Sequence, residues 1–271
     1  MKASGSSFHT VTEKPGLMAT REQLERIYHR YRFAADYARA ASVLEVACGA
    51  GIGLGYLACS ARRVVGGDID EVNLEIAKGI YRDWARGEES AATPEIIWLD
   101  AHELTFPDGS FDLLLLFEAI YYLAKPELFV TEAKRVLNRN GRLIIGTVNK
   151  DWADFHPSPY THRYFSVPEL YELLRRDFSS VVLYGGFSIP EPSRLQMVVS
   201  ALKRIAVRLN LIPGSLAART YLKRLFLGPL RALPAQLQEG MTDYEPPVAI
   251  SAVRPDRDHK IIYAVATNGR T

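Results

Sequence analysis

Apolar and polar positions along this chain switch period in a regular way, from helical three-to-four spacing to short, almost unbroken apolar runs and back again. Leu24, Ile27, Tyr28, Tyr31, Phe33, Ala34 and Tyr37 recur at helical spacing. Thr20-Arg-Glu-Gln23 places a capping residue three positions before a Gln, so a helix is predicted from Thr20 up to the first strand. Apolar runs near 43–47, 63–67, 95–99, 112–117 and 141–148 suit strands buried on both faces, with helical stretches reaching 59 and covering 71–86 and 126–137. Ser166 with Pro168 opens another helix, and Ser180 to Tyr184 and Lys260 to Ala266 read as the last two strands. Strands alternating with helices predict an α/β fold with a doubly wound, mostly parallel sheet. The division that follows is an N-terminal arm and cap helix over 1–40, a core over 41–187, an insertion over 188–258 and a final core strand over 259–271.

The first strand runs straight into glycines at alternate positions, Val43-Leu-Glu-Val-Ala-Cys-Gly-Ala-Gly-Ile-Gly53, and Leu54 to Ala58 then opens a helix. Such a turn lets the backbone approach a ligand that a Cβ would exclude, with helix amides facing it. A dinucleotide frame, G-x-G-x-x-G/A, fails from Gly49 and from Gly51, which reach Leu54 and Tyr56; the frame from Gly53 to Ala58 fits but begins beyond the strand end. Asp68 closes the second strand at a separation from which a carboxylate reaches a ribose, Asp100 closes the third, and Phe106-Pro-Asp-Gly-Ser-Phe-Asp112 leads into the fourth.

Glu45-Val-Ala-Cys-Gly-Ala-Gly51 resembles motif I of the class I S-adenosylmethionine-dependent methyltransferases, and the later strand-end acids follow that family in order over about residues 40–150. The resemblance implies a seven-stranded Rossmann-like sheet with an antiparallel last strand, an N-terminal helical cap and a helical insertion before that strand. It implies S-adenosylmethionine as cofactor, S-adenosylhomocysteine as product, and a site formed by Tyr28, Glu45, Ala47, Gly49, Gly51, Asp68, Ile69, Asp100, Ala101, His102 and Phe117. In the family the acid at Asp68 receives both ribose hydroxyls, and Asp100 with its neighbours holds adenine. Glu118 to Leu123 and Tyr164 to Leu170 look similar to bacterial enzymes of cell-surface glycan or secondary-metabolite pathways. Tyr121-Tyr122 stand where many relatives carry Glu-His, so no base is carried over from them.

Transfer from a sulfonium needs mainly alignment and a dry site, and Tyr28, Tyr31, Tyr121 and Tyr122 are candidate walls because aromatic faces favour a cation. A hydroxyl acceptor also needs a base. The loop from Asn149 to Tyr164 follows the fifth strand at the acceptor edge; His156 is the first candidate there, with His162, Tyr160 and Asp154 behind it, since imidazole titrates near neutrality. The expected acceptor is a hydroxyl of a sugar, lipid-linked saccharide or related small molecule. A small amine metabolite is the alternative, and a noncatalytic cofactor-binding, membrane-associated subunit is the reading from another class.

Composition narrows the partners. With 271 residues, 48% hydrophobic, the chain can bury a full core, and no apolar run approaches the roughly 20 residues that cross a bilayer, so a cytoplasmic protein is expected. Cys48 and Cys59 make neither a disulfide framework nor a metal-ligand set. Net charge is only +2, yet Arg194, Lys203, Arg204, Arg208, Arg219, Lys223, Arg224 and Arg231 fall in a stretch without Asp or Glu from Ser193 to Gln238. Apolar residues at helical spacing among them fit an anionic membrane face or a phosphorylated acceptor, with homodimerisation as the alternative use; nucleic acid is disfavoured because no recognised module accompanies the charge.

Overall fold

The computed structural model describes residues 12–82, 84, 92–158, 161–189 and 229–269. A short strand β1 (Met18–Ala19) leads into α1 (Arg21–Ala38), and the expected cap is formed reciprocally. The Gln23 amide donates to the Thr20 hydroxyl at 3.2 Å, and the Thr20 amide donates to Gln23 Oε1 at 2.9 Å. Then come β2 (Ser42–Val46), α2 (Leu54–Ala58), β3 (Arg63–Asp68), α3 (Glu71–Tyr81), β4 (Glu95–Trp98) and β5 (Phe111–Phe117). The second half holds α4 (Pro126–Val136), β6 (Leu137–Val148), α5 (Val167–Leu174), β7 (Ser180–Ser188), β8 (Arg231–Ala232), β9 (Val248–Ile250) and β10 (His259–Thr267).

The main sheet runs β4-β3-β2-β5-β6-β10-β7-β9. Pairings from β4 through β6 are parallel, and β10 is antiparallel to both β6 and β7. Since β10 opposes both neighbours, β7 runs parallel to β6 and its carboxyl end lies at the same edge as the glycine turn. The expected antiparallel last strand is therefore present, but the sheet has eight strands where seven were expected. The extra one is β9, three residues that pair antiparallel with the otherwise open side of β7.

Strand residues alternate between two cores, as the two-residue period of a pleat demands. Leu44, Val46, Leu114, Leu116, Leu143 and Ile145 pack with α4 and α5 residues such as Phe129, Val130 and Leu170. Val43, Leu113, Leu115 and Ile144 face the other way, against Ile27, Tyr31 and Ala34 of α1 and Leu54 and Leu57 of α2. At about 1.5–3 kcal/mol for each fully buried aliphatic side chain, these two layers hold the sheet edge rigid beneath the site.

Two expectations about elements change. The helix expected over 71–86 ends at Tyr81, whose hydroxyl is tied to the glycine turn, donating to the Gly51 carbonyl at 2.6 Å and accepting from the Gly55 amide at 2.9 Å. The described part of the expected helical insertion, 229–258, contains no helix. Instead β8 pairs with β1, Leu233 and Leu237 are buried, and the Leu237 amide donates to the Ile52 carbonyl at 3.1 Å, so this stretch folds back over α1 and the turn. The basic residues from Arg194 to Arg224 lie outside the described residues, as does Tyr160. Among the described residues no helix is long and apolar enough to cross a membrane.

Candidate functional site

The turn after β2 is built from strained backbone held by neighbouring strands. Ala47 and Gly49 both have φ 56°, the left-handed region that a Cβ disfavours. The Cys48 amide donates to the Gly67 carbonyl at 3.0 Å, and the Gly49 amide donates to Asp68 Oδ2 at 2.8 Å, so β3 fixes the turn through its last carboxylate. Gly53 matters for a different reason, since a Cβ there would sit 2.1 Å from the buried ring of Tyr31. That close approach brings α1 against the turn.

A cavity of about 410 Å³ opens at this edge of the sheet. Of the expected cofactor residues, Glu45, Ala47, Gly49, Asp68, Ile69, Asp100, Ala101, His102 and Phe117 all line it. Gly51 does not; it acts behind the wall through its carbonyl bond to Tyr81. Tyr28 differs from expectation too. It is 1% exposed, and its hydroxyl donates to Glu239 at 3.0 Å and accepts from the Gly240 amide, which ties α1 to the returning chain instead of facing the cavity. One helical step on, Tyr31 faces the cavity in its place.

Each strand-end acid has its own surroundings. Tyr31 donates to Glu45 Oε1 at 2.6 Å, while Glu45 Oε2 is buried with no hydrogen-bond partner among the described residues. Burial pushes the Glu45 carboxyl up to about 7, against the pull of the Tyr31 hydroxyl and the Arg30 charge. Asp68 accepts from the Gly49 and Asp70 amides, one on each oxygen, and burial still raises it above the usual carboxylate range. Asp100 Oδ1 accepts from the His102 amide at 2.8 Å and lies 2.8 Å from His102 Nδ1. The Lys125 amide points at His102 Nε2 at 3.4 Å, so the imidazole proton belongs on Nδ1, towards Asp100.

Opposite these acids lies a wall that the motifs did not announce. Arg30 on α1 reaches into the cavity, ion-paired to Glu13 and stacked near the rings of Tyr31 and Phe117, at 5.3 and 5.9 Å from their centroids. Burial opposes its charge, but Glu13, Tyr31 and Glu118 outweigh that and hold the guanidinium above its ordinary range. Glu118, Tyr121, Tyr122 and Tyr263 complete this side. Tyr121 and Tyr122 were legible as wall candidates; Arg30, Glu118 and Tyr263 were missed. The signal for Glu118 was an acid directly after an apolar strand, the same pattern that marked Asp68 and Asp100. For Arg30 it was a charge on the apolar face of an amphipathic helix. The expected bases stand elsewhere: His156 and His162 are exposed, and neither lines the cavity. The His162 amide donates to the Tyr121 carbonyl at 2.8 Å, so its loop braces the wall from outside.

A family model described as "Methyltransferase domain" matches residues 44–145, from β2 into β6. A probable S-adenosylmethionine-dependent methyltransferase of Mycobacterium tuberculosis is 31% identical over 167 residues, 59% of this chain and 57% of that protein. This chain thus matches little more than half of that relative's length. A fatty-acid O-methyltransferase of Mycolicibacterium smegmatis is 28% identical over 222 residues, 81% of this chain and 70% of that protein. The crystal structure of the YcgJ protein of Bacillus subtilis superposes with a TM-score of 0.55 at 17% identity, covering 90% of this chain and all of that one, which shows the fold. With the strand order, the glycine turn and the strand-end acids in register, residues 44–145 of this chain match the methyltransferase-domain family, and the fold around them is that of the solved methyltransferase-like neighbours.

Proposed function

We propose that this protein transfers a methyl group from S-adenosylmethionine to a hydroxyl of a sugar, lipid-linked saccharide or related small molecule. The observation that carries this reading is the convergence of the acids at the ends of β2, β3 and β4 on one cavity beside the left-handed glycine turn. The unpartnered, buried Oε2 of Glu45 fits the ligand's ammonium group, because a buried carboxylate oxygen without a donor is costly until a cation or hydrogen-bond donor reaches it. Asp68 has a second lone pair on each oxygen for ribose hydroxyls, and Asp100 with Ala101 and His102 suits adenine. When bound, the cofactor supplies a methyl group on a positively charged sulfur.

The residues of this chain then act in three ways. Phe117 and Tyr31, edge to face at 5.3 Å, supply apolar and aromatic surface next to the turn and exclude water. Carboxylates at Glu45 and Asp68 make this pocket favourable for a cation. Tyr121 and Tyr122, edge to face at 4.6 Å centroid to centroid, offer an angled aromatic corner against which a sugar ring or an acyl chain can be held in line. The fatty-acid O-methyltransferase name of the mycolicibacterial relative supports an oxygen acceptor over a nitrogen one.

The test is transfer of labelled methyl from S-adenosylmethionine to methyl glucoside, dodecanol and dodecylamine as probes. Labelled ether from a hydroxyl probe is the expected result. Label on the amine alone would move the acceptor to a small amine metabolite, and S-adenosylhomocysteine binding without transfer to any probe would favour a noncatalytic subunit. The peripheral-membrane reading of 194–231 is tested separately by liposome sedimentation, where charge reversal at Lys203, Arg204 and Arg208 should release the protein from anionic vesicles.

A further inference from the structure

Glu118 occupies a place for which the cofactor has no evident need. It follows Phe117 at the carboxyl end of β5 with φ 50°, a left-handed conformation that a residue carrying a Cβ keeps only where its surroundings impose it. Its amide donates to the Gly146 carbonyl of β6 at 2.8 Å, which pins the backbone to the sheet edge while the side chain lines the cavity. Tyr121 donates its hydroxyl to Oε2 at 2.9 Å, the hydrogen bond that this carboxylate accepts among the described residues. One carboxylate oxygen is therefore fixed and the other is left for a ligand. Fixing a side chain in this way, on strained backbone at the end of a rigid strand, is the arrangement that proton transfer requires.

We propose that Glu118 is the proton acceptor for the methyl transfer and Tyr121 the residue that positions it, which assigns the acceptor to un-ionised hydroxyls. The proposal rests on the methyl-transfer reading above. Glu118 Oε1 takes the hydroxyl proton as the acceptor oxygen forms its bond to the methyl carbon and the carbon–sulfur bond breaks, its electron pair staying on sulfur. The positive charge on sulfur and the negative charge on Glu118 disappear together, the products are a methyl ether, S-adenosylhomocysteine and a protonated Glu118, and that proton returns to solvent. No co-reactant is needed. A carboxylate acceptor would need no base and would meet repulsion from Glu118, so this geometry selects against it.

The charged and titratable groups facing Glu118 are Arg26 and Arg30 on α1, Glu13 before it, Tyr121 and Tyr122 after β5, and Tyr263 on β10. Burial pushes the Glu118 carboxyl up, with Arg30 and the Tyr121 hydrogen bond pulling the other way. A raised carboxyl is a stronger base than an ordinary one, and the two arginines favour its charged form.

The experiment compares wild type with Glu118→Gln and Tyr121→Phe, each carrying glutamate labelled with carbon-13 at the carboxyl carbon. In the S-adenosylhomocysteine complex, the resonance missing from Glu118→Gln identifies Glu118. Its titration midpoint should lie above that of an ordinary glutamate and rise further in Tyr121→Phe, which loses a donor to the charged form. Calorimetry should show S-adenosylhomocysteine binding Glu118→Gln as it binds wild type. Transfer to methyl glucoside or dodecanol should fall about 10²–10⁴-fold in Glu118→Gln. A midpoint at or below the ordinary value, weakened S-adenosylhomocysteine binding in Glu118→Gln, or unchanged transfer would each overturn the role. Wild type that binds S-adenosylhomocysteine but methylates neither hydroxyl overturns the acceptor class and the base with it; wild type that binds no S-adenosylhomocysteine overturns the methyl-transfer reading itself.

Discussion

On the cofactor side of the cavity, Glu45, Gly49, Asp68 and Asp100 each sit at a strand end or in the turn after it, within one unbroken βαβαβ stretch. On the side proposed for the acceptor, Arg30, Glu118, Tyr121 and Tyr263 come from α1, the segment after β5, and β10, which only the folded sheet brings together. The first side is a local device, in which backbone amides and carboxylates of adjacent strands hold each other. The second is a tertiary one, held by Glu13 on Arg30, Tyr121 on Glu118, and the packing of α1 over β10. A local device constrains its sequence tightly, whereas a tertiary one can vary at the ends of long-range contacts.

The contrast can be broken most severely at the point where the two sides touch. Gly53→Ala places a methyl group 2.1 Å from the Tyr31 ring, and overpacking of that kind should lower stability by about 3 kcal/mol or more, seen as a fall in the urea midpoint. If the midpoint did not move, α1 would not be clamped to the turn as described.

Next in size is the pH dependence of the cofactor-free protein. Glu45 titrates at about 7 in the fold against 4.5 when unfolded, so the native state holds an extra proton between those values and stability falls as pH rises through that window. The loss should reach up to about 3 kcal/mol by neutral pH and then level off. Glu45→Gln should remove this component from the thermal-unfolding profile between pH 4.5 and 7. Binding of a ligand ammonium should also release a proton from Glu45 below pH 7, detected by calorimetry in buffers of different ionisation enthalpy.

Asp68→Asn comes third. Losing a charged acceptor at about 1.5–3 kcal/mol should weaken S-adenosylhomocysteine binding about 10–100-fold with the sheet intact by circular dichroism. The smallest change is expected at Tyr28→Phe. Breaking the link to Glu239 and Gly240 should cost about 1 kcal/mol of stability and leave cofactor affinity unchanged, because this tyrosine faces away from the cavity. A loss of affinity there would restore Tyr28 to the site.

Much of the fold and many of the residues that line the cavity were legible in the sequence, for physical reasons that particular residues show. The Thr20 capping box and the Ser166 cap are local, and both form as read. Strands buried on both faces leave continuous apolar runs, and parallel strands end in acids at a shared edge. Tyr28 was misread because Tyr28 and Tyr31 lie three residues apart on one helical face, and the residue that reaches the turn is decided by the missing Cβ of Gly53, a long-range fit. β9 was missed because three residues added to an open edge have too little periodicity to register. Glu118 carried the strand-end signal but was eclipsed by His156 and His162, imidazoles on a loop that the structure leaves on the outside.

The most direct test of the central claim is calorimetric titration of the protein with S-adenosylmethionine, S-adenosylhomocysteine and NAD, repeated on Asp68→Ala. Saturable binding of the two adenosyl ligands, lost in the variant and absent for NAD, is the result that this cavity predicts. Binding of NAD, or adenosyl binding that Asp68→Ala leaves untouched, would contradict it.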